Sequence, residues 1–361
     1  MSILKTCPAV FAVEQEYQIM VPTKQDALVW ITVGKKAYYN HSNGVLRSHT
    51  VIHRMTVPMS ELNREKSYSV HYRTIIERKP YFPESEEEVV ITYPFRPLTK
   101  TIGINLSFLS DTHGFEDGPV KVGQWFGEEL DVLVLGGDMP EHSGDLKYFD
   151  TIYRICEQVT KGEIPIVFAR GNHDTRGFYA EQFEEYTPLK NGLPYYTFRL
   201  GPIWGLVLDT GEDKVDSSEE YNHTICFQPY REQQTEFIRQ VAEAKEYQDA
   251  TYRLVVAHIP FHQRHENEKF CIDDQLFCEW AKLIETIRPH LMLSGHLHLL
   301  RINRKGGEFD HRGQCCDVVV GAELIRGGAF SASALVLEKE GALVHFINDQ
   351  GTLLRTEKIE Y

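Results

Sequence analysis

The chain lacks any run of about 18 consecutive apolar residues, which argues against a helical membrane span. Its opening residues, Met1 to Pro8, contain no long apolar stretch, so no secretory leader is expected. Cysteine is sparse: seven in 361 residues, an odd number without framework spacing, with only Cys315 and Cys316 adjacent. That pattern reads as reduced thiols in a cytoplasmic protein rather than a disulfide scaffold. Positive charge is in deficit, with 38 Lys and Arg against 52 Asp and Glu and a net charge of −14. A chain this acidic is not a bulk nucleic-acid binder, and any phosphate it handles needs a local positive centre. The sequence shows no internal repeat and no low-complexity segment. Hydrophobic residues make up 42%, an ordinary globular share, and the length is enough for about two domains with buried cores.

The first unit, residues 1–96, reads as an all-β accessory domain. β-rich runs are expected at 10–21, 27–33, 50–57, 68–76 and 89–93. Turn-forming clusters at 22–26, 41–44 and 61–65 separate them. Short strands at this spacing suggest a fibronectin- or immunoglobulin-like β-sandwich. The segment 38–41 is a candidate wall for a neighbouring cleft. Pro94 and Pro97 mark the boundary.

The second unit, residues 97–361, has a different pattern. Apolar strand-like runs at 102–109, 131–135, 164–168, 204–208, 254–257 and 291–293 alternate with helical stretches at 146–159, 231–246 and 275–287. This alternation argues for α/β layering, with a return to β structure over 318–359.

Five of the strand-like runs end in polar residues of one kind. They are Asp111-Thr112-His113-Gly114, Gly137-Asp138, Gly171-Asn172-His173-Asp174, His258 and Gly295-His296-Leu297-His298. In open α/β sheets the loops beyond the carboxyl ends of strands converge on a crevice, so five distant segments are expected to meet. Carboxylate, amide and imidazole donors without thiolate suit Mn, Fe or Zn, and argue against a closed structural zinc site.

In this order the set D-x-H, G-D, G-N-H-D, H and G-H-x-H resembles the calcineurin-like metallophosphoesterase superfamily. The resemblance implies two mixed β-sheets packed together and flanked by helices, an α/β fold of the four-layer type. It implies one divalent metal on Asp111, His113 and His298, a second on Asn172, His258 and His296, and Asp138 bridging both. His173 would be the non-ligand histidine beside the substrate, with Asp174 orienting it. The implied activity is hydrolysis of a phosphomonoester or phosphodiester by a metal-bridging hydroxide. Two divalent ions, two carboxylates and that hydroxide leave a centre of about +1, the local positive point an acidic chain needs. The alternative is an inactive metal-holding scaffold whose β-sandwich mediates protein interaction.

The layout of a β module before this domain is similar to purple acid phosphatases, but those carry Gly where His113 stands and Tyr where Glu141 stands. An iron(III)–tyrosinate centre is therefore not expected. Arg176 reads as a phosphate contact or a surface arginine, and His262 as a pocket residue or a loop histidine with a backbone partner. His142 and Asp209 are open in the same way. The expected partner is a phosphorylated small-molecule or nucleotide-like substrate. No membrane partner is expected, and a homo-oligomer is left open. The loops 210–228 and 260–270 should set specificity.

Overall fold

The computed structural model describes residues 2–265, 267–325 and 328–361. Glu266, inside the expected specificity loop, and Arg326 and Gly327, inside the β-rich tail, lie outside the described residues.

Two groups of parallel strands form the body. In the first, Ile104–Leu109, Val132–Leu135 and Ile166–Phe168 run parallel, and Ala9–Val13 joins them through Phe11 opposite Ile166. In the second, Ile203–Leu208, Tyr252–Ala257, Leu291–Ser294 and the start of Asp317–Ile325 run parallel. Asp317–Ile325 bends from one group to the other, pairing Leu291–Ser294 early and Ala329–Glu338 late.

These strands are almost wholly buried and rich in Val, Ile and Leu, as parallel strands covered on both faces must be. One core lies between the sheets, around Leu106, Val134, Val256 and Leu293. A second lies under the helix Asp150–Thr160, where Ile152 and Ile155 meet Leu133 and Leu135. A third packs Ile238, Trp280 and Ile284 against Leu206 and Val255. The order is helices, sheet, sheet, helices, the four-layer α/β arrangement expected.

The N-terminal region is built onto this body. Ala9–Val13 continues the first sheet in parallel beyond Ile166–Phe168, and Glu16–Pro22 and Ile52–Pro58 then extend it antiparallel. A second sheet of Val89–Pro94, Ser67–Glu77, Ala27–Val33 and Lys36–Tyr39 covers them. Val29, Ile31, Tyr68 and Val70 from that cover share one core with Ile104 and Val134.

Two local readings change. The expected run at 10–21 is a hairpin, broken where Glu14 takes φ 52°. The expected turn at 61–65 is part of a helix, Met59–Glu65, because Met59 and Leu62 bury on one face and Lys66 ends it in a left-handed conformation.

Candidate metal centre

All five polar strand ends meet at one edge of the body. Asp111 and His113 follow Ile104–Leu109, Asp138 follows Val132–Leu135, and Asn172 and His173 follow Ile166–Phe168. His258 follows Tyr252–Ala257, and His296 and His298 follow Leu291–Ser294. Asp111, Asp138, Asn172 and His258 are buried.

Backbone hydrogen bonds lock the loops together. Asp111 N donates to the Gly137 carbonyl at 3.0 Å, and His113 N donates to the Asp138 carbonyl at 3.0 Å. His296 N donates to the Asp111 carboxylate at 2.8 Å. His173 N donates to Asp138 Oδ1 at 2.8 Å.

This closeness has a steric requirement at two glycines. A Cβ on Gly171 would sit 2.2 Å from Asp138 Oδ1, and one on Gly295 would sit 2.3 Å from Asp111 Oδ2. It also requires unusual backbone: Asp111, His113, Asp138, His296 and His298 all have positive φ, between 46° and 69°. Each such residue costs on the order of 1 kcal/mol, and clusters of them mark functional sites.

The donor atoms form overlapping groups. Asp111, His113 and His298 each bring a ligand atom within 4.8 Å of the others, as do Asp138, His258 and His296. Asp138 also groups with His113 and His173. His258 Nε2 lies 3.1 Å from Asp138 Oδ2, and His113 Nε2 lies 4.0 Å from the same oxygen. His113 and His298 bring their Nε2 atoms to 3.1 Å. His296 Nδ1 meets Asn172 Oδ1 at 3.0 Å.

The orientation of His258 tests whether this set fits a cation. Its Nδ1 donates to the Gly136 carbonyl at 2.7 Å, so Nε2 presents a lone pair to the Asp138 carboxylate. Nε2 is buried without a hydrogen-bond partner. Two electron-rich atoms in that position need a proton or a metal between them, and a carbonyl holding the far nitrogen is the usual support of a metal-ligating histidine.

The electrostatics agree. Burial opposes charge on His258, but Asp138 and Asp111 outweigh it and raise its pKa to about 10. Burial also opposes charge on Asp138, yet His258 and the other histidines hold its carboxyl well below the usual range. Burial and then His258 push His296 down to about 3, which leaves it neutral and ready to ligate.

The remaining candidates divide. Arg176 does reach the centre: its Nη1 donates to His173 Nε2 at 2.9 Å. Asp174 does not touch the His173 ring. Its Oδ2 instead accepts from Gly171 N at 2.7 Å and Asp138 N at 3.1 Å, tying two ligand loops together. Burial and Asp138 raise its pKa to about 8. The His173 ring is held by the Glu141 carbonyl, which accepts from Nδ1 at 2.8 Å.

His262 is a buried structural histidine. Asn303 Nδ2 donates to its Nε2 at 3.1 Å, and burial lowers its pKa to about 3. His142 Nδ1 accepts from Gly144 N at 3.0 Å, a local turn contact. Asp209 is buried and pairs with Arg170 at 2.5 Å. Asn40 and His41 line a cavity of about 650 Å³ with Arg54 and Glu184, and none of the metal-centre residues line it.

Two residues were missed. The Glu141 carboxylate lies 3.0 Å from His113 Nδ1. Glu212, buried four residues beyond Ile203–Leu208, grips Arg176. The strand-end rule that found the ligands points equally to Glu212.

Among the described residues no helix is long and apolar enough to cross a membrane, and all seven cysteines are free. No curated protein matches the chain in a sequence comparison. Two solved structures are similar in fold. One is a purple acid phosphatase from yellow lupin (Lupinus luteus) seeds, with a TM-score of 0.61 at 12% identity over 99% of this chain and 75% of that one. The other is PhoD, with a TM-score of 0.55 at 13% identity over 99% of this chain and 92% of that one. The model of the calcineurin-like phosphoesterase family matches residues 104–300, more than half of the chain and the stretch holding every residue of this centre. The chain therefore belongs to the calcineurin-like phosphoesterase family, as a metal-dependent phosphoric ester hydrolase.

Proposed function

We propose that the centre is dinuclear and hydrolyses a phosphomonoester or phosphodiester of a small-molecule or nucleotide-like alcohol. Asp111, His113 and His298 would hold one divalent ion and Asn172, His258 and His296 the other, with Asp138 serving both sets. The observation that carries this reading is the position of Asp138, flanked by His113 on one side and His258 on the other and belonging to two ligand groups. Nitrogen and oxygen donors without sulfur suit Mn, Fe or Zn.

Two such ions would supply Lewis acidity at the phosphoryl group. The chain's own residues do the rest. Asp111 and Asp138 gather the negative charge that holds the ions, and the backbone bonds from His296 N and His173 N fix both carboxylates. His173, anchored at Nδ1 by the Glu141 carbonyl, aims Nε2 at the reacting group. Protonated at both nitrogens, it donates from Nε2 to the leaving oxygen. Arg176 binds a phosphoryl oxygen. Asp174 sets the spacing of the Asp138 and Asn172 loops.

Turnover of p-nitrophenyl phosphate and bis-p-nitrophenyl phosphate with added Mn²⁺ tests the reading. At least one ester should be hydrolysed, and hydrolysis should stop on chelation. A Mn²⁺-loaded protein that hydrolyses neither ester nor any of a nucleotide panel would contradict it.

A further inference from the structure

The Arg176 side chain is held from behind by a carboxylate almost wholly shut off from solvent. Glu212 is 1% exposed. It accepts from Arg176 Nε at 2.6 Å and from Nη2 at 2.8 Å, a two-pronged pair that fixes the guanidinium plane as well as its position. The Thr175 hydroxyl lies 3.3 Å from one of these oxygens and the Tyr221 hydroxyl 3.1 Å from the other, while each also reaches a second acceptor, the Asn172 carbonyl and the Asp213 carboxylate.

This grip uses Nε and Nη2 and leaves Nη1 projecting toward the metal centre. There Nη1 donates to His173 Nε2. Because His173 Nδ1 donates to the Glu141 carbonyl, Nε2 is the acceptor nitrogen of a neutral ring. Arg176 thus already presents one N–H to an acceptor standing beside Asp138 and His113, whose ring centroid is 4.5 Å from that of His173.

We propose that Glu212 is a positioning residue: it presets Arg176 so that Nη1 binds a non-bridging phosphoryl oxygen of the substrate, in the place His173 Nε2 takes in this structure. The proposal rests on the phosphoesterase reading. Once Nη1 binds that oxygen it no longer occupies His173 Nε2, which takes up a solvent proton before it donates to the leaving group. A lysine would not replace the arginine, since an ammonium has no fork to be fixed by a carboxylate.

The test uses the full chain loaded with Mn²⁺, as wild type, Glu212→Gln, Arg176→Ala, Arg176→Lys and the double variant Glu212→Gln/Arg176→Ala. Inorganic phosphate binding is measured by calorimetry, and bis-p-nitrophenyl phosphate turnover is measured alongside. Glu212→Gln and Arg176→Ala should each weaken phosphate binding by about 10- to 100-fold, the value of one charge-assisted hydrogen bond. Each should lower kcat/KM by about 10²-fold, as loss of one oxyanion donor does. The double variant should be no worse than Arg176→Ala, and Arg176→Lys should resemble Arg176→Ala.

Equal additional loss from Glu212→Gln in the Arg176→Ala background would overturn the proposal, because Glu212 would then act without Arg176. Wild-type phosphate affinity in both single variants would overturn it as well. Should Glu212→Gln not fold, Arg176→Lys decides: wild-type affinity and turnover there would show that orientation does not matter. A wild type that hydrolyses no ester while both variants lose phosphate affinity would leave the preset arginine standing and remove the phosphoesterase reading. Normal turnover in wild type and all variants would do the reverse.

Discussion

Two fully buried histidines only four positions apart behave in opposite ways. His258 ends the strand Tyr252–Ala257, and two carboxylates raise its pKa to about 10. His262 lies in the following loop, and burial lowers its pKa to about 3 while Asn303 donates to it. Burial alone does not make a metal ligand. What separates the two is the surroundings: Asp138 and Asp111 lie against one ring, while the other meets the Asn303 amide, with Asp310 offset by Arg312, His311 and Arg301. The backbone does not distinguish them: five ligand-loop residues are left-handed, but neither His258 nor His262 is among them.

Breaking the Asp138 side of this contrast should have the largest effect. Asp138→Asn removes the charge that both metal groups share, and kcat should fall by at least about 10²-fold, since even groups that only orient ligands cost that much. Metal content measured on the same samples should fall with it. Gly171→Ala places a methyl against Asp138 Oδ1 and should cost about 10²-fold in kcat, as small misplacements at reacting centres do. Circular dichroism should show the fold intact.

Substituting the two histidines sharpens the comparison. His258→Ala should lose bound metal and turnover. His262→Leu should keep both and lose only about 1–3 kcal/mol of stability in urea unfolding, from the amide left with fewer partners.

The pH dependence of the metal-free protein should divide along the same line, and the signs are opposite. His258 is raised above its ordinary 6.5, so the stability it contributes is fully present below pH 6.5 and is lost as pH rises through about 10. His262 is lowered to about 3, so its contribution is present above pH 6.5 and is lost as pH falls toward that value. Each amounts to a few kcal/mol, roughly, at 1.36 kcal/mol per unit. Unfolding titrations of His258→Ala and His262→Leu between pH 4 and 10 (a range of about six units) should flatten opposite limbs. Metal loading should displace the His258 proton, so apparent affinity for Mn²⁺ should rise with pH.

Much of this was legible in the sequence because strand ends carry their own signal. A buried apolar run that stops at Asp, Asn or His, most often beside Gly, marks a loop at the carboxyl edge of a parallel sheet, and all seven candidate ligands lie on such loops, His258 alone without a nearby Gly. What was not legible depended on partners. Hydrophobic alternation shows that Ala9–Val13 is buried but not that it pairs with Ile166–Phe168, more than a hundred residues away. Asp174 follows His173 in the chain, yet its carboxylate turns to the backbone of Gly171 and Asp138, because those N–H groups are buried and need an acceptor. His262 has the residue type of a ligand, and only its distance from any carboxylate contact excludes it. Glu212 sits just past a strand end as the ligands do, but what it does there is set by Arg176, 36 residues away.

The central claim is a pair of metal ions sharing Asp138. Anomalous scattering from crystals grown with Mn²⁺ tests it most directly. The account predicts two peaks, one among Asp111, His113 and His298 and one among Asn172, His258 and His296, with the Asp138 carboxylate in contact with both. A single peak, or two peaks with Asp138 turned away from them, would contradict it.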